Sequence, residues 1–151
     1  KLLTGVLVIT AFVFSDLMDG HMARLTGKTN KFGAFLDSTL DRVGDGAIFG
    51  GLALYFAGPG DSTLFLVLSL VCLVMGSVTS YARAKAESLG FQAKGGIAER
   101  ADRLVSILVM TGLSAIFSLP FLLHLTLWVL AAASTVTVVQ RVLLVRRQAL
   151  G

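Results

Sequence analysis

The chain has 151 residues, 55% of them hydrophobic and 15% charged, with a formal net charge of +4. An ordinary globular domain carries roughly 25% charged residues, so this chain is too charge-poor to cover a soluble surface and too apolar to stay disordered. Composition therefore excludes a soluble enzyme and predicts an integral membrane protein, in which a basic excess reports topology and lipid contact; no nucleic-acid partner is expected.

A membrane-spanning helix needs about 20 mostly apolar residues. Five such runs are predicted, at 2–18, 32–57, 63–84, 101–119 and 121–145. They are continuous, not alternating, which predicts an all-α polytopic transmembrane helical bundle and argues against a β-barrel. Residues 1–151 form one membrane domain. The first run has only Lys1 before it and ends in the charged stretch 15–24, without an A-x-A cleavage site, so it is not a signal peptide. The connections Gly58-Pro59-Gly60-Asp61 and Leu119-Pro120 are short, and make the helices they join antiparallel neighbours. Gly46 and Gly50 form a G-x-x-x-G step suited to close helix packing. Cys72 is the single cysteine and cannot form an internal disulfide.

The cations fall on one side of this arrangement. Arg24, Lys28 and Lys31 follow the first run, and Arg42 sits near the start of the second. Arg83, Lys85, Lys94, Arg100 and Arg103 lie between the third and fourth, while Arg141, Arg146 and Arg147 close the chain. The positive-inside rule makes that face cytoplasmic. Lys1 is the exception and requires either a further span preceding the chain, the favoured expectation with six in all, or an N-out protein.

Five of the nine acids are Asp16, Asp19, Asp37, Asp41 and Asp45, all near the cytoplasmic ends of the first two runs. An acid at a helix centre costs about 2.5–3.5 kcal/mol on insertion, and less near an interface, so this cluster needs compensation. Spacings of three and four place each set on one helix face. Converging carboxylates suit Mg²⁺, Mn²⁺ or Ca²⁺. Pairing with Arg24, Lys31 and Arg42, or an ion pathway, are the alternatives at this point. His21 lies near the acids but alone. His124 sits in an apolar run at the far side and reads as a packed or interfacial side chain. Asp45 is expected to pair with Arg42.

The order of these residues is informative. Asp16-Leu-Met-Asp19-Gly20-His-Met-Ala23-Arg24 is followed after eight residues by Gly33, then Asp37 and Asp41 at steps of four. This resembles the D-x2-D-G-x2-A-R-x8-G-x3-D-x3-D signature of the CDP-alcohol phosphotransferase family, with every fixed position present. The resemblance implies transfer of a phosphatidyl group from CDP-diacylglycerol to an alcohol, releasing CMP, at a site on the cytoplasmic face of a bacterial cell membrane. It implies two metal ions, Mg²⁺ with Mn²⁺ possible, held by Asp16, Asp19, Asp37 and Asp41, with Asp41 also the general base. Gly20, Ala23, Arg24, Asn30, Lys31 and Gly33 are the expected CDP-diacylglycerol contacts. The family's usual first span is missing from the chain as given, and a homodimer is expected.

The acceptor is read from the remaining cations. Arg83, Lys85, Arg103 and Arg141 exceed what one diphosphate needs, with Ser80 expected to line the same pocket, and a cation starting or inside a span is costly unless used. The chain therefore resembles the branch of the family with phosphorylated acceptors. Inositol 1-phosphate is the favoured acceptor and glycerol 3-phosphate the alternative; a cation channel or transporter is the alternative of a different class. Arg146, Arg147 and Lys94 are read as stop-transfer charge that attracts anionic lipid.

Overall fold

The computed structural model describes residues 31–97 and 99–151. The predicted run 2–18 lies outside them. Four helices follow in order: α1 Lys31–Ala57, α2 Thr63–Ser88, α3 Arg100–Phe117 and α4 Pro120–Leu150. There is no strand among the described residues. Each helix starts within one residue of the predicted run, while α2 and α4 extend further at their C-terminal ends into charged sequence.

By length and apolar composition, α2 and α4 can cross a membrane. The expectation of five spans is thus reduced to two among the described helices on this measure. The reason lies in the charges. α1 carries Lys31, Asp37, Asp41, Arg42 and Asp45 in its first half, and α3 has 18 residues that begin with Arg100, Asp102 and Arg103.

The turns have clear local causes. Between α1 and α2, Gly60 N–H donates to the Tyr55 carbonyl at 2.8 Å and Ser62 N–H to the Phe56 carbonyl at 2.9 Å. A Cβ on Gly60 would sit 2.9 Å from both the Tyr55 and Phe56 rings, so no larger residue closes this turn unchanged. The Ser62 side chain then caps α2 by accepting from Phe65 N–H. α3 stops at Ser118, which is left-handed at φ 54°, and Pro120 opens α4 where its missing N–H costs nothing.

α2 lies at the centre, packed on both α1 and α4, and α3 packs on α4. The core joins Ile48, Phe49, Leu52 and Phe56 of α1 to Leu68 and Cys72 of α2, Leu104 and Ile107 of α3, and Leu123, Leu127 and Leu130 of α4. These positions recur at helical spacing and form one face of each helix. The opposite faces are also apolar: Leu64, Val67, Leu70, Val74 and Val78 are all exposed on α2. A soluble protein rarely leaves such a stripe uncovered, whereas a membrane solvates it. Cys72 is buried, its thiol directed at the Leu127 carbonyl. His124 stacks on Phe65, with ring centroids 3.8 Å apart and planes 10° apart, as expected of a packed histidine.

Two glycines behave differently from each other. A Cβ at Gly46 or Gly50 would meet nothing within 4 Å, so the G-x-x-x-G step does not mediate close packing among the described helices. Gly76 on α2, in contrast, faces the Arg103 guanidinium, and a Cβ there would lie 3.1 Å from one of its nitrogens. The side chain of Arg103 lies across α2 because position 76 has none. Gly76→Val is therefore expected to displace Arg103 and to destabilise by about 1–3 kcal/mol as an overpacked site. A thermal melt in detergent measures this, and an unchanged midpoint would show that Arg103 has another place to lie.

Candidate functional site

The charged ends of α1 and α3 meet. Asp41 and Asp45 are one turn apart on α1, and Arg100 and Arg103 are three apart in the first turn of α3, so each pair shares a helix face. Arg100 spans both acids: Nη1 lies 2.8 Å from Asp41 Oδ1, and Nε donates to Asp45 Oδ1 at 3.0 Å. Its Nη2 reaches the Asp41 carbonyl at 3.4 Å. The second oxygen of Asp45 faces Arg42 Nη2 and Arg103 Nη2, each at 3.6 Å. Asp45 and Arg103 are only 2% and 1% exposed. A buried ion pair this complete carries a large desolvation cost, and removing one member strands the other.

Beside this cluster is a cavity of about 370 Å³. Ser38, Asp41 and Arg42 form its α1 side, Thr79, Ser80, Arg83 and Glu87 its α2 side, and Glu99, Arg100 and Arg103 the side made by α3, with Arg141 reaching in from α4. Arg141 is buried and fixed by its neighbours. It donates to the Thr79 carbonyl, and its Nε donates to the Gly95 carbonyl at 3.2 Å. Ser80 Oγ donates to the Gly76 carbonyl at 3.3 Å. Arg83 pairs with Glu87 at 3.0 Å and is part-exposed. Among the described residues, five arginines and three carboxylates line the cavity. Counting Asp45 behind the wall, these arginines outnumber the acids by one, so the lining suits a small, polar anion.

Of the residues singled out from sequence, Asp41, Ser80, Arg83, Arg103 and Arg141 come together in this cavity. Lys85 does not line it and is exposed. Two residues along a helix rotate by about 200°, so Lys85 leaves the face that Arg83 occupies. Lys31, Gly33 and Asp37 are exposed on the first turns of α1 and lie outside the cavity lining. Asp16, Asp19, Gly20, Ala23, Arg24 and Asn30 lie outside the described residues. The expected pairing of Asp45 with Arg42 is present, but Arg100 is the nearer partner. Arg100 and Glu99 were not singled out as site residues. The available signal was the step of three from Arg100 to Arg103, which gives both the same helix face.

Asp37 and Asp41 offer hard oxygen donors one turn apart, the chemistry that Mg²⁺ or Mn²⁺ takes. Asp45 is committed to guanidinium groups and is unsuited to a metal. Among the described residues no group of three potential ligands is assembled. The other two aspartates expected to hold metal, Asp16 and Asp19, lie outside the described residues.

Comparison with known proteins follows the same direction. The profile of the CDP-alcohol phosphatidyltransferase family matches residues 1–139. The chain is 53% identical to a phosphatidylinositol phosphate synthase of Streptomyces avermitilis over 150 residues, covering 95% of this chain and 62% of the relative. It is 52% identical to one of Cutibacterium acnes, covering 95% of this chain and 72% of that protein. The chain thus spans less than two thirds of the Streptomyces relative's length. A crystal structure of Mycobacterium tuberculosis phosphatidylinositol phosphate synthase with CDP-DAG bound superposes with a TM-score of 0.87 at 41% identity, covering 96% of this chain and 74% of that one. Another, in complex with manganese and citrate, gives the same TM-score and identity, covering 96% and 70%.

Proposed function

Because the chain belongs to the CDP-alcohol phosphatidyltransferase family, we propose that it transfers the phosphatidyl group of CDP-diacylglycerol to a phosphorylated alcohol, inositol 1-phosphate, and releases CMP. One observation carries the choice of acceptor. Among the described residues, the cavity beside Asp41 is lined by five arginines against three carboxylates. A phosphomonoester bears about −1.5 to −2 charges near neutral pH, which such a surplus attracts and an uncharged alcohol does not need. The manganese-bound and CDP-DAG-bound relatives support a divalent metal and this lipid donor.

The reaction divides among the residues as follows. Arg83, Arg103 and Arg141 bind the acceptor phosphate, with Ser80 as a neutral partner. That contact turns one acceptor hydroxyl toward Asp41. The hydroxyl oxygen attacks the phosphatidyl phosphorus, its proton passes to Asp41, and the P–O bond to CMP breaks with its electrons leaving on CMP. Two divalent cations, held by Asp16, Asp19, Asp37 and Asp41, supply charge neutralisation and polarisation of the diphosphate when bound. Gly20, Ala23, Arg24, Asn30, Lys31 and Gly33 contact the nucleotide end of the donor. In this reading the protein is a polytopic bundle of the bacterial cell membrane with its site on the cytoplasmic face, which the one-sided distribution of cations supports, and it acts as a homodimer.

The test is an acceptor panel. Purified protein with labelled CDP-diacylglycerol and Mg²⁺ is expected to release CMP with inositol 1-phosphate, and much less with free inositol or serine. A preference for glycerol 3-phosphate would move the acceptor to that alternative, and silence with every acceptor would remove the enzyme reading. Arg83→Gln is expected to raise the KM for inositol 1-phosphate by roughly tenfold, the value of one charge-assisted hydrogen bond. The KM for CDP-diacylglycerol should stay within twofold.

A further inference from the structure

A second cavity lies on the other side of Arg141. The segment 91–97, between α2 and α3, is tied to the C-terminal half of α4 at three points. Gly96, at φ +138°, sits so close to Thr137 that a Cβ would come within 2.4 Å of its methyl group. The Gly95 carbonyl accepts from Arg141. At the other end, the Gln148 side chain accepts from Gln92 N–H at 2.9 Å and donates to the Gln92 carbonyl at 2.6 Å. These ties hold open a groove of about 420 Å³ between the segment and α4. Its lining includes Lys94, Gln140, Arg141 and Arg147, with Leu143 and Leu144 as the apolar part, and no carboxylate lines it among the described residues. Lys94 and Arg147 are exposed.

The apolar side of the groove continues along α4. Val136, Val139 and Leu143 are 42%, 51% and 45% exposed and recur at helical spacing toward Arg147. Basic groups thus stand at the end of an uncovered apolar track. A phosphate alone would use the cations and leave the leucines idle. A phospholipid uses both.

We propose that this groove is a binding site for the headgroup of an anionic phospholipid, separate from the reacting lipid. Lys94 and Arg147 bind the phosphodiester, Gln140 donates to it, and an acyl chain lies along Leu143, Val139 and Val136. Basic pockets beside spanning helices on the cytoplasmic side are suited to such headgroups. The site shares Arg141 with the first cavity but uses no residue assigned to the reaction otherwise.

The experiment uses the full chain, stripped of lipid in detergent and titrated with phosphatidylglycerol, phosphatidylcholine or inorganic phosphate, with bound mass read by native mass spectrometry. Phosphatidylglycerol is expected to bind and phosphatidylcholine to fail to displace it. Arg147→Gln and Lys94→Gln should each weaken phosphatidylglycerol roughly tenfold, the effect of losing a hydrogen bond to a charged group. Arg146→Gln removes the same charge from the adjacent position outside the groove and should change binding less than twofold. Equal losses from Arg146→Gln and Arg147→Gln would overturn the proposal in favour of diffuse attraction. So would equal retention of phosphatidylcholine. Displacement of the lipid by millimolar phosphate would overturn it in favour of a free-anion site. CMP release in detergent should be unchanged in Arg147→Gln, whether or not the acceptor assignment holds.

Discussion

Asp41→Asn is expected to lower CMP release by roughly 10³-fold, within the range that a positioned general base contributes, while leaving the fold intact. The substitution keeps the size of the side chain and one carbonyl oxygen. Arg100 Nη1, now 2.8 Å from Asp41 Oδ1, keeps an acceptor. What is lost is the basic oxygen that takes the acceptor proton, together with one negative charge toward the metals. Because Asp41 and Arg100 are both about 21% exposed, water compensates part of the weakened pair, and the stability cost should be about 1 kcal/mol. The checks are labelled CMP release and a thermal melt on the same preparation. Activity within tenfold of wild type would remove Asp41 from the role of base. A collapse of the melt would instead make its partnership with Arg100 the dominant one. Asp37→Asn separates the two proposed duties of these carboxylates, because Asp37 is exposed and lies outside the cavity lining. Its loss should be relieved in part by raising the metal concentration, and that of Asp41 should not.

The sequence made some of this readable and withheld the rest for physical reasons. Helix starts at 31, 63, 100 and 120 followed from apolar runs broken by Gly58-Pro59-Gly60 and Pro120, because those breaks are local backbone chemistry. The convergence of Ser80, Arg83, Arg103 and Arg141 was legible because a charge inside an apolar run must find compensation. Lys85 was misplaced because proximity in sequence was weighed above the rotation of the helix. The role of Arg100 was missed because nothing local says which of several loop cations turns toward Asp41 and Asp45. That depends on how α3 meets α1, a contact between residues 55 and 59 positions apart. The glycines show the same limit. Gly46 and Gly50 carried a recognisable packing step and meet nothing among the described helices, whereas Gly76, with no motif around it, makes the space for Arg103.

Asp45 lies outside the family signature, yet its removal is expected to be the most damaging single change to the described fold. Asp45→Ala takes from Arg103, at 1% exposure, the carboxylate that lies 3.6 Å from its Nη2, in a cluster where Arg42 and Arg100 repel it. Breaking a buried pair in this way costs about 3–5 kcal/mol, and the melting midpoint should fall by on the order of 10 °C. The double variant Asp45→Leu with Arg103→Met tests the cause. It replaces the pair with apolar side chains of similar size, and such replacements are often neutral or stabilising. Arg100 retains Asp41, and Arg42 is one-third exposed to water, so neither is stranded. The midpoint should therefore recover most of the loss, a coupling of more than about 1 kcal/mol between sites in contact. Acceptor use should not recover, because Arg103 also lines the cavity. Recovery of both would mean that Arg103 serves only the fold. Recovery of neither would mean that Asp45 holds α1 against α3 through Arg100, and the remaining comparison, Arg100→Met alone, would then reproduce the Asp45→Ala loss.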